Sequence, residues 1–306
     1  MQSFLKFCLF IGVLTTGLHA DATQQIVKKA QTDIPVFKAG TDSLGVEYVV
    51  GDRYYIRADK NRKRYKIPKA SGEKLLCFVP LQNRFLACYE SHLLLVSTKG
   101  SVKTVRFELK KMSINPAKSK YEYLIRGNTL LLGNLEHILA VHLNRHSAKL
   151  VKRITDPDFK YVKASRDQFW FASDFHVFSY SLSNKKQTKI AKSPCTIKVL
   201  ELWKDNPVLV CDNQVIFTDS SGKVLHKTKL SGASRIKAAI FKEKKHAYLT
   251  SENYLFVFDL EQKKKEKFPL SSLPFHSMSW LGDHLAVWSD DFFDLIESDS
   301  FVISLK

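Results

Sequence analysis

The chain has 306 residues and a formal charge of +18, from 48 Lys and Arg against 30 Asp and Glu. Hydrophobic residues make up 44% and aromatics 12%, enough for a large core and too much for global disorder. Its 12 Gly and 9 Pro exclude a collagen-like or low-complexity chain, and no apolar run has the length of a membrane-spanning helix.

Residues 1–20 read as a secretory leader. Lys6 supplies its positive start, Phe7 to Val13 and Leu14 a short apolar stretch, and Ala20 or Ala22 a cleavage position in an A-x-A pattern. Cys8 falls inside the apolar stretch, too early for a lipidated cysteine. The expectation is a soluble exported (periplasmic or secreted) protein, with residues 23–306 forming a single domain of charge near +17 once Lys6 is lost.

A period of about forty residues then runs along the chain. Strand-like apolar runs start at Tyr54, His92, His137, His176, Gln214, Tyr254 and Phe292, at spacings of 38, 45, 39, 38, 40 and 38 residues. Each follows another apolar segment across a polar turn, as with Phe85–Tyr89 before Glu90-Ser91, Phe169–Phe171 before Asp174-Phe175, and Ala247–Thr250 before Glu252-Asn253. Such turns between short apolar runs signal hairpins. A further strand lies upstream in most units (Tyr123–Ile125, Val199–Leu202) and a weaker, Lys-rich one downstream (Gln187–Ile190, Val224–Lys227). Four strands per forty residues is the pattern of a propeller blade. The fold class expected is therefore all-β: a seven-bladed β-propeller of four-stranded antiparallel blades. The 45-residue spacing places an insertion at Lys110–Lys120. At the end of the chain, Phe301–Leu305 can be its own outer strand, or Gln25-Ile26-Val27 can join the last blade; the sequence leaves both open.

The stretches from Tyr254 to Phe268 and from His176 to Ile190 resemble the inner-to-outer strand step of WD40-like and quinoprotein-like propellers. The Gly-His and Trp-Asp signature of WD40 repeats is missing, as is the Gly- and Trp-rich docking motif of quinone-binding propellers, so no cofactor is expected. In size, export and repeat character the chain resembles accessory proteins of the NapL type, which implies a role beside a periplasmic nitrate reductase or another respiratory redox system.

The common hydrolase and nucleotide motifs (H-E-x-x-H, G-x-S-x-G, the P-loop, the dinucleotide fingerprint) are absent, and no catalytic or metal-binding residue is assigned. His92, His137 and His176 sit at one repeat position on three separate units, which suits strand starts better than ligands of one ion. Trp170, Trp203, Trp280 and Trp288 read as packing aromatics. The Lys runs lack interleaved stacking aromatics, so nucleic acid is not expected. The leading reading is a non-catalytic scaffold for protein–protein interaction. Two readings compete with it: a lactonase- or lyase-like enzyme with carboxylates, Asn or His converging in the central channel, and an envelope assembly factor resembling the propeller lipoprotein of outer-membrane biogenesis, which the missing lipidated cysteine disfavours.

Of the four cysteines beyond the leader, Cys77 and Cys88 lie directly opposite each other if Gln82-Asn83 is a two-residue turn, within reach of a disulfide. Two buried thiols in an apolar hairpin are the alternative. Charge also sorts by turn. Second-to-third turns hold Asp52, Glu90, Glu136, Asp174, Asp212, Glu252 and Asp290. Third-to-fourth turns hold Arg62, Lys63, Lys99, Arg145, Lys185, Lys186, Lys223, Lys263, Lys264 and Lys265, and first-to-second turns add Arg84, Arg126, Arg166, Lys204 and Lys242. The expectation is a basic face that steers an acidic protein partner or touches an anionic membrane surface, with Lys263, Lys264, Lys265, Lys185, Lys186 and Arg145 as its docking residues.

Overall fold

A computed structural model describes residues 28–32, 36–41, 46–51, 54–57, 64–68, 75–89, 92–107, 121–230, 235–252, 254–259, 264–269, 277–281, 284–288 and 298–304. The leader, the insertion at Lys110–Lys120, and Phe292–Ile296 lie outside these residues. Contacts divide the chain into two compact units, residues 67–269 and residues 1–66 with 270–306.

The described residues form only strands and turns. The chain opens with β1 (Lys28–Thr32), then the meander β2 (Val36–Thr41), β3 (Glu47–Gly51), β4 (Tyr54–Arg57) and β5 (Arg64–Lys66). The larger unit holds five meanders. They begin with β6 (Cys77–Leu81), β7 (Arg84–Cys88), β8 (Leu93–Ser97) and β9 (Val102–Phe107). Next come β10 (Glu122–Arg126), β11 (Thr129–Gly133), β12 (His137–His142) and β13 (Ser147–Arg153). The third comprises β14 (Tyr161–Ser165), β15 (Gln168–Ala172), β16 (His176–Ser181) and β17 (Gln187–Lys192). The fourth is β18 (Val199–Trp203), β19 (Asn206–Val210), β20 (Gln214–Thr218) and β21 (Val224–Lys229). The fifth is β22 (Ile236–Lys242), β23 (Lys245–Thr250), β24 (Tyr254–Asp259) and β25 (Lys264–Pro269). Finally β26 (Ser277–Leu281), β27 (His284–Trp288) and β28 (Ser298–Ser304) form a sheet with β1 in the order β1-β28-β27-β26. Among the described residues there are thus five four-stranded antiparallel sheets. The sixth sheet has eight strands, because the meanders β6–β9 and β10–β13 share a short parallel step at Ser147↔Arg106 and Ala148↔Phe107.

The turns explain the regularity. First and second strands join through two-residue turns at Gln82-Asn83, Gly127-Asn128, Arg166-Asp167, Lys204-Asp205 and Glu243-Lys244. Positive φ at Gly127, Arg166, Lys204, Asp205 and Glu243 supplies the twist that such tight hairpins need. Second and third strands join through a turn in which the residue opening the strand accepts from a backbone N–H three residues back: Tyr89 to His92, Asn134 to His137, Ser173 to His176 and Cys211 to Gln214, at 2.8–3.0 Å. The histidines therefore share a turn position. Asn134 Oδ1 also accepts from the His137 N–H at 2.8 Å, and Ser173 Oγ from the His176 N–H at 3.2 Å.

Between consecutive sheets of the larger unit sit apolar cores, and alternate residues of a single strand serve two of them. Leu139 and Val141 of β12 pack with Leu93 and Leu95, whereas Ile138 and Ala140 pack with Phe169 and Phe171. Trp170 and Ala172 of β15 belong to the next core, with Leu209 and Ile216; Val208, Val210 and Phe217 belong to the one after, with Tyr248 and Phe256. The strands read as continuously apolar for this reason. Trp170 is fully buried, Trp280 is buried, and half-buried Trp203 donates its indole N–H to the Glu243 carbonyl at 2.9 Å.

One feature of the smaller unit differs from expectation, and another decides between the two readings left open for the last blade. The strand paired with β27 is β28 rather than the aromatic run from Phe292, since it sets Phe301, Val302 and Ile303 opposite Val287, Ala286 and Leu285 in three apolar rungs. The outer strand of that sheet comes from the N-terminal segment, through β1.

Cys77 and Cys88 are directly paired across β6 and β7, with Cα atoms 4.9 Å apart, and are joined by a disulfide. A second disulfide, which the sequence did not suggest, links Cys195 in the β17–β18 connection to Cys211 at the end of β19. Without reductant, none of these four cysteines should take up an alkylating reagent in the unfolded protein. Reduction should add two labels per bridge by intact mass and lower the unfolding midpoint, a change of about 2–4 kcal/mol per bridge.

Gly133 ends β11 where a Cβ would collide with the Phe169 ring. Gly133→Ala should therefore destabilise the fold by about 1–3 kcal/mol through overpacking. In urea unfolding, combining it with Phe169→Leu should cost less than the sum of the two single changes.

Candidate functional site

Charge in the larger unit occupies three places: the first strands, the turns, and the outer fourth strands.

The first strands β10, β14 and β18 lie side by side in succession. At their centre the Lys163 ammonium is 2.6 Å from Glu201 Oε1 and 3.4 Å from Glu122 Oε1, so one lysine ties three meanders together. These side chains keep 25%, 21% and 35% of their surface exposed. Burial disfavours the Lys163 charge, but Glu201 and then Glu122 outweigh it and hold its pKa above the ordinary lysine value. Burial pushes the Glu201 carboxyl upward while Lys163 pulls it back. The two carboxylates are neutralised by a cation between them. Among the described residues no group of three or more His, Cys, Asp or Glu is arranged to hold a metal ion. Sequence reading missed this triad, although its signal was present as a single charge between apolar or aromatic neighbours on each first strand (YEY, VKA, LEL).

The first-to-second turns carry both signs, which corrects the expectation that they are basic. Arg126 pairs with Asp167 and Arg166 with Asp205, each reaching from one first-to-second turn to the next. Ser165 adds a hydrogen bond to Asp205 Oδ1 at 2.8 Å, Arg84 reaches the Leu143 carbonyl at 3.4 Å, and Lys204 lies 4.4 Å from the centre of the Trp203 ring. These bases bind neighbouring hairpins together. On the second-to-third side, Asp174 is paired with Lys160 and Asp212 lies 3.8 Å from Lys198. Asp52, Glu90 and Asp290 fall outside the described residues.

The outer strands are different. Lys103 of β9, Lys149 and Arg153 of β13, Lys189 and Lys192 of β17, Lys227 and Lys229 of β21, and Lys267 of β25 are all exposed. The turns leading into these strands expose Lys99, Arg145, Lys185, Lys186 and Lys223. Strands β9, β13, β17 and β21 contain no Asp or Glu; β25 contains Glu266. None of these exposed bases is ion-paired among the described residues. Of the expected docking residues, Arg145, Lys185 and Lys186 lie on this rim, Lys264 and Lys265 open β25 with side chains outside the described set, and Lys263 lies outside it altogether.

Two histidines are buried within the sheets. His137 is 5% exposed, with Nε2 2.9 Å from the Tyr121 hydroxyl. Burial, then Glu136, raises the Tyr121 pKa and keeps its hydroxyl protonated beside the neutral ring. His246 is 4% exposed, with ring centroids of Phe241 and Phe217 at 4.8 and 5.2 Å. Burial lowers both histidine pKa values to about 4, helped by Arg153 at His137 and His226 at His246.

No family description matches the chain, and no curated protein matches it. Solved structures do. The C-terminal WD40 domain of Sif2 aligns with a TM-score of 0.63 at 13% identity, over 92% of this chain and 99% of that one. BamB from Moraxella catarrhalis aligns with a TM-score of 0.55 at 11% identity, over 87% and 85%. The extracellular domain of BT4673 from B. thetaiotaomicron aligns with a TM-score of 0.64 at 10% identity, over 92% of this chain and 43% of that one. These likenesses show the fold alone: a WD40-like β-propeller. No helix among the described residues is long and apolar enough to cross a membrane.

The buried histidines set an acid limit on stability. Unfolded, each takes up a proton near its ordinary value of 6.5; folded, only near 4. The unfolded state therefore binds more protons in that window, and stability should fall as pH drops from about 6.5 toward 4, by on the order of 3 kcal/mol per ring. His246→Phe, which keeps an aromatic ring in the cluster, should remove its share of the loss. Urea unfolding at neutral pH and near pH 4.5 measures the difference.

Proposed function

We propose that the chain is a non-catalytic, exported β-propeller scaffold that captures an acidic partner protein on the basic rim of its outer strands. The observation that carries this reading is the segregation of charge. Glu122 and Glu201 on the first strands and Asp167 and Asp205 in the turns are engaged by neighbouring bases, whereas the described bases of β9, β13, β17 and β21 face solvent without an acid on those strands. A surface of one sign raises the encounter rate with a partner of the opposite sign and rejects partners of its own. Export to an oxidising compartment is supported by the leader pattern and by two disulfides. The forty-residue period supports seven blades, and the structural neighbours support the propeller fold. The NapL-type resemblance supplies one partner class, a periplasmic respiratory assembly, on the strength of size, leader and repeat character.

Replacing Arg145, Lys185, Lys186 and Lys263 to Lys265 with Gln should weaken capture of the partner at low salt while changing stability by less than about 0.5 kcal/mol per site. Added salt should weaken capture by the unaltered protein in the same way, because rim charges are screened beyond about 8 Å at physiological ionic strength. Asp174→Asn and Glu252→Gln should leave capture intact. Capture indifferent to both the lysine changes and salt would remove the rim as the docking surface.

A further inference from the structure

One outer strand is built differently from its counterparts. Strands β13, β17 and β21 each carry a bulge against the third strand of their sheet. In β13 and β17 the extra residue, Val151 or Ile190, is partly buried and packs against a core. In β21 the extra residue is Leu225, which is 55% exposed beside Val224 at 41%. No other adjacent pair of large apolar side chains is so exposed among the described residues.

The backbone of β21 is open as well, since it ends the sheet order β18-β19-β20-β21. The Leu230 N–H donates to the Asn213 carbonyl at 2.8 Å, which fixes the alternation along the strand. Residues 228 and 226 then bond inward to β20, and the N–H and C=O groups of Lys227 and Lys229 point to the open edge.

Charge at this edge has one sign. The turn before β21 approaches β17 so closely that a Cβ on Gly222 would lie 2.7 Å from the Ile190 carbonyl oxygen, bringing Lys189 and Lys192 beside Lys223. With Lys227 and Lys229 on the strand that carries Val224 and Leu225, this part of the surface has five exposed lysines. The nearby acid, Asp219, is held within its own turn, where Oδ1 accepts from the Ser221 N–H, the Ser221 hydroxyl and the Lys223 N–H at 2.9, 2.6 and 2.9 Å.

We propose that β21 is the seat for an extended segment of the acidic partner, which adds as a fifth strand to the sheet β18–β21. Outward N–H and C=O groups supply ladder hydrogen bonds, the lysines engage carboxylates at alternate positions of the segment, and apolar side chains cover Val224 and Leu225. The proposal rests on the scaffold reading and adds to it the chemistry of what is recognised: an extended strand alternating acidic and apolar residues.

The probe is a short synthetic peptide alternating valine and glutamate, offered to the full-length exported protein. Binding should be salt-sensitive and should slow hydrogen exchange at the Lys227 and Lys229 amides. Lys227→Gln, which keeps the outward N–H, should weaken binding a few-fold. Lys227→Pro, which removes the N–H at an edge position where proline is tolerated, should weaken it about ten-fold further. The same peptide N-methylated at every amide, which leaves neither strand edge able to donate, should not bind. Absence of binding by the unaltered protein, equal affinities of the two Lys227 variants, equal binding of the N-methylated peptide, or unchanged amide exchange would each overturn strand addition. Salt-dependent capture of the partner protein that survives in Lys227→Pro would overturn this seat while leaving the scaffold reading standing. Circular dichroism and melting of Lys227→Pro establish that it folds, and the exchange measurement on the unaltered chain decides the matter without any variant.

Discussion

A sheet flanked on both sides within the larger unit must bury both of its faces, and the other features of that unit follow from the constraint. A four-stranded meander has too little area to form a core alone, so between two neighbours it shares one apolar layer with the sheet before it and another with the sheet after it. Strand β12 shows the rule at single-residue resolution, with Leu139 and Val141 serving one core and Ile138 and Ala140 the next. Side chains on neighbouring sheets then approach so closely that Gly133 has no room for a methyl group beside Phe169.

Two-sided burial also decides where charge can go. The second and third strands are filled with apolar side chains and admit few polar groups; those that enter, such as His137 and His246, are kept neutral by burial. Charges are left with the first strands, the turns and the outer strands. On first strands a charge faces its neighbours on the adjacent sheets, which is how Lys163 comes to bridge Glu122 and Glu201. In the turns it is matched to the next hairpin, as Arg126 is to Asp167. On the outer strands β9, β13, β17 and β21 and in the turns leading into them, the described exposed charges meet water without an ion-pair partner, and nearly all of them are positive.

Legibility in the sequence follows the same division. Wherever burial dictates residue type, the sequence reveals the structure: the forty-residue period, the third strands at His137, His176 and Gln214, and the opposition of Cys77 to Cys88 all follow from apolar runs and tight turns. Where pairing depends on residues far apart in the chain, it does not. The Lys163 triad joins positions from three units, and the Cys195–Cys211 bridge joins a connection to a strand end with no spacing motif. The last sheet was misread because Phe292–Ile296 continued the period, whereas cross-strand register with Leu285–Val287 favours Phe301–Ile303. Turn charge was misread for a related reason: listing Arg126 and Arg166 as free bases ignored Asp167 and Asp205, which reach them only across neighbouring hairpins.

Lysine on an edge strand has a structural role whatever else it does, because a row of like charges stops two copies of the same edge from pairing. That protection is selective. It repels another copy of this chain or any basic segment, yet a segment bearing carboxylates meets attraction along the same edge. On β13 and β17 the bulge residue turns inward to the core, leaving charge as the dominant feature of the exposed edge. On β21 the bulge residue Leu225 stays exposed on a strand whose charged side chains are lysines, so an incoming acidic strand finds an apolar surface to cover as well as charges to neutralise. Repulsion of the wrong strand and recognition of the right one thus come from the same five lysines, and Leu225 distinguishes a merely protected edge from a receptive one.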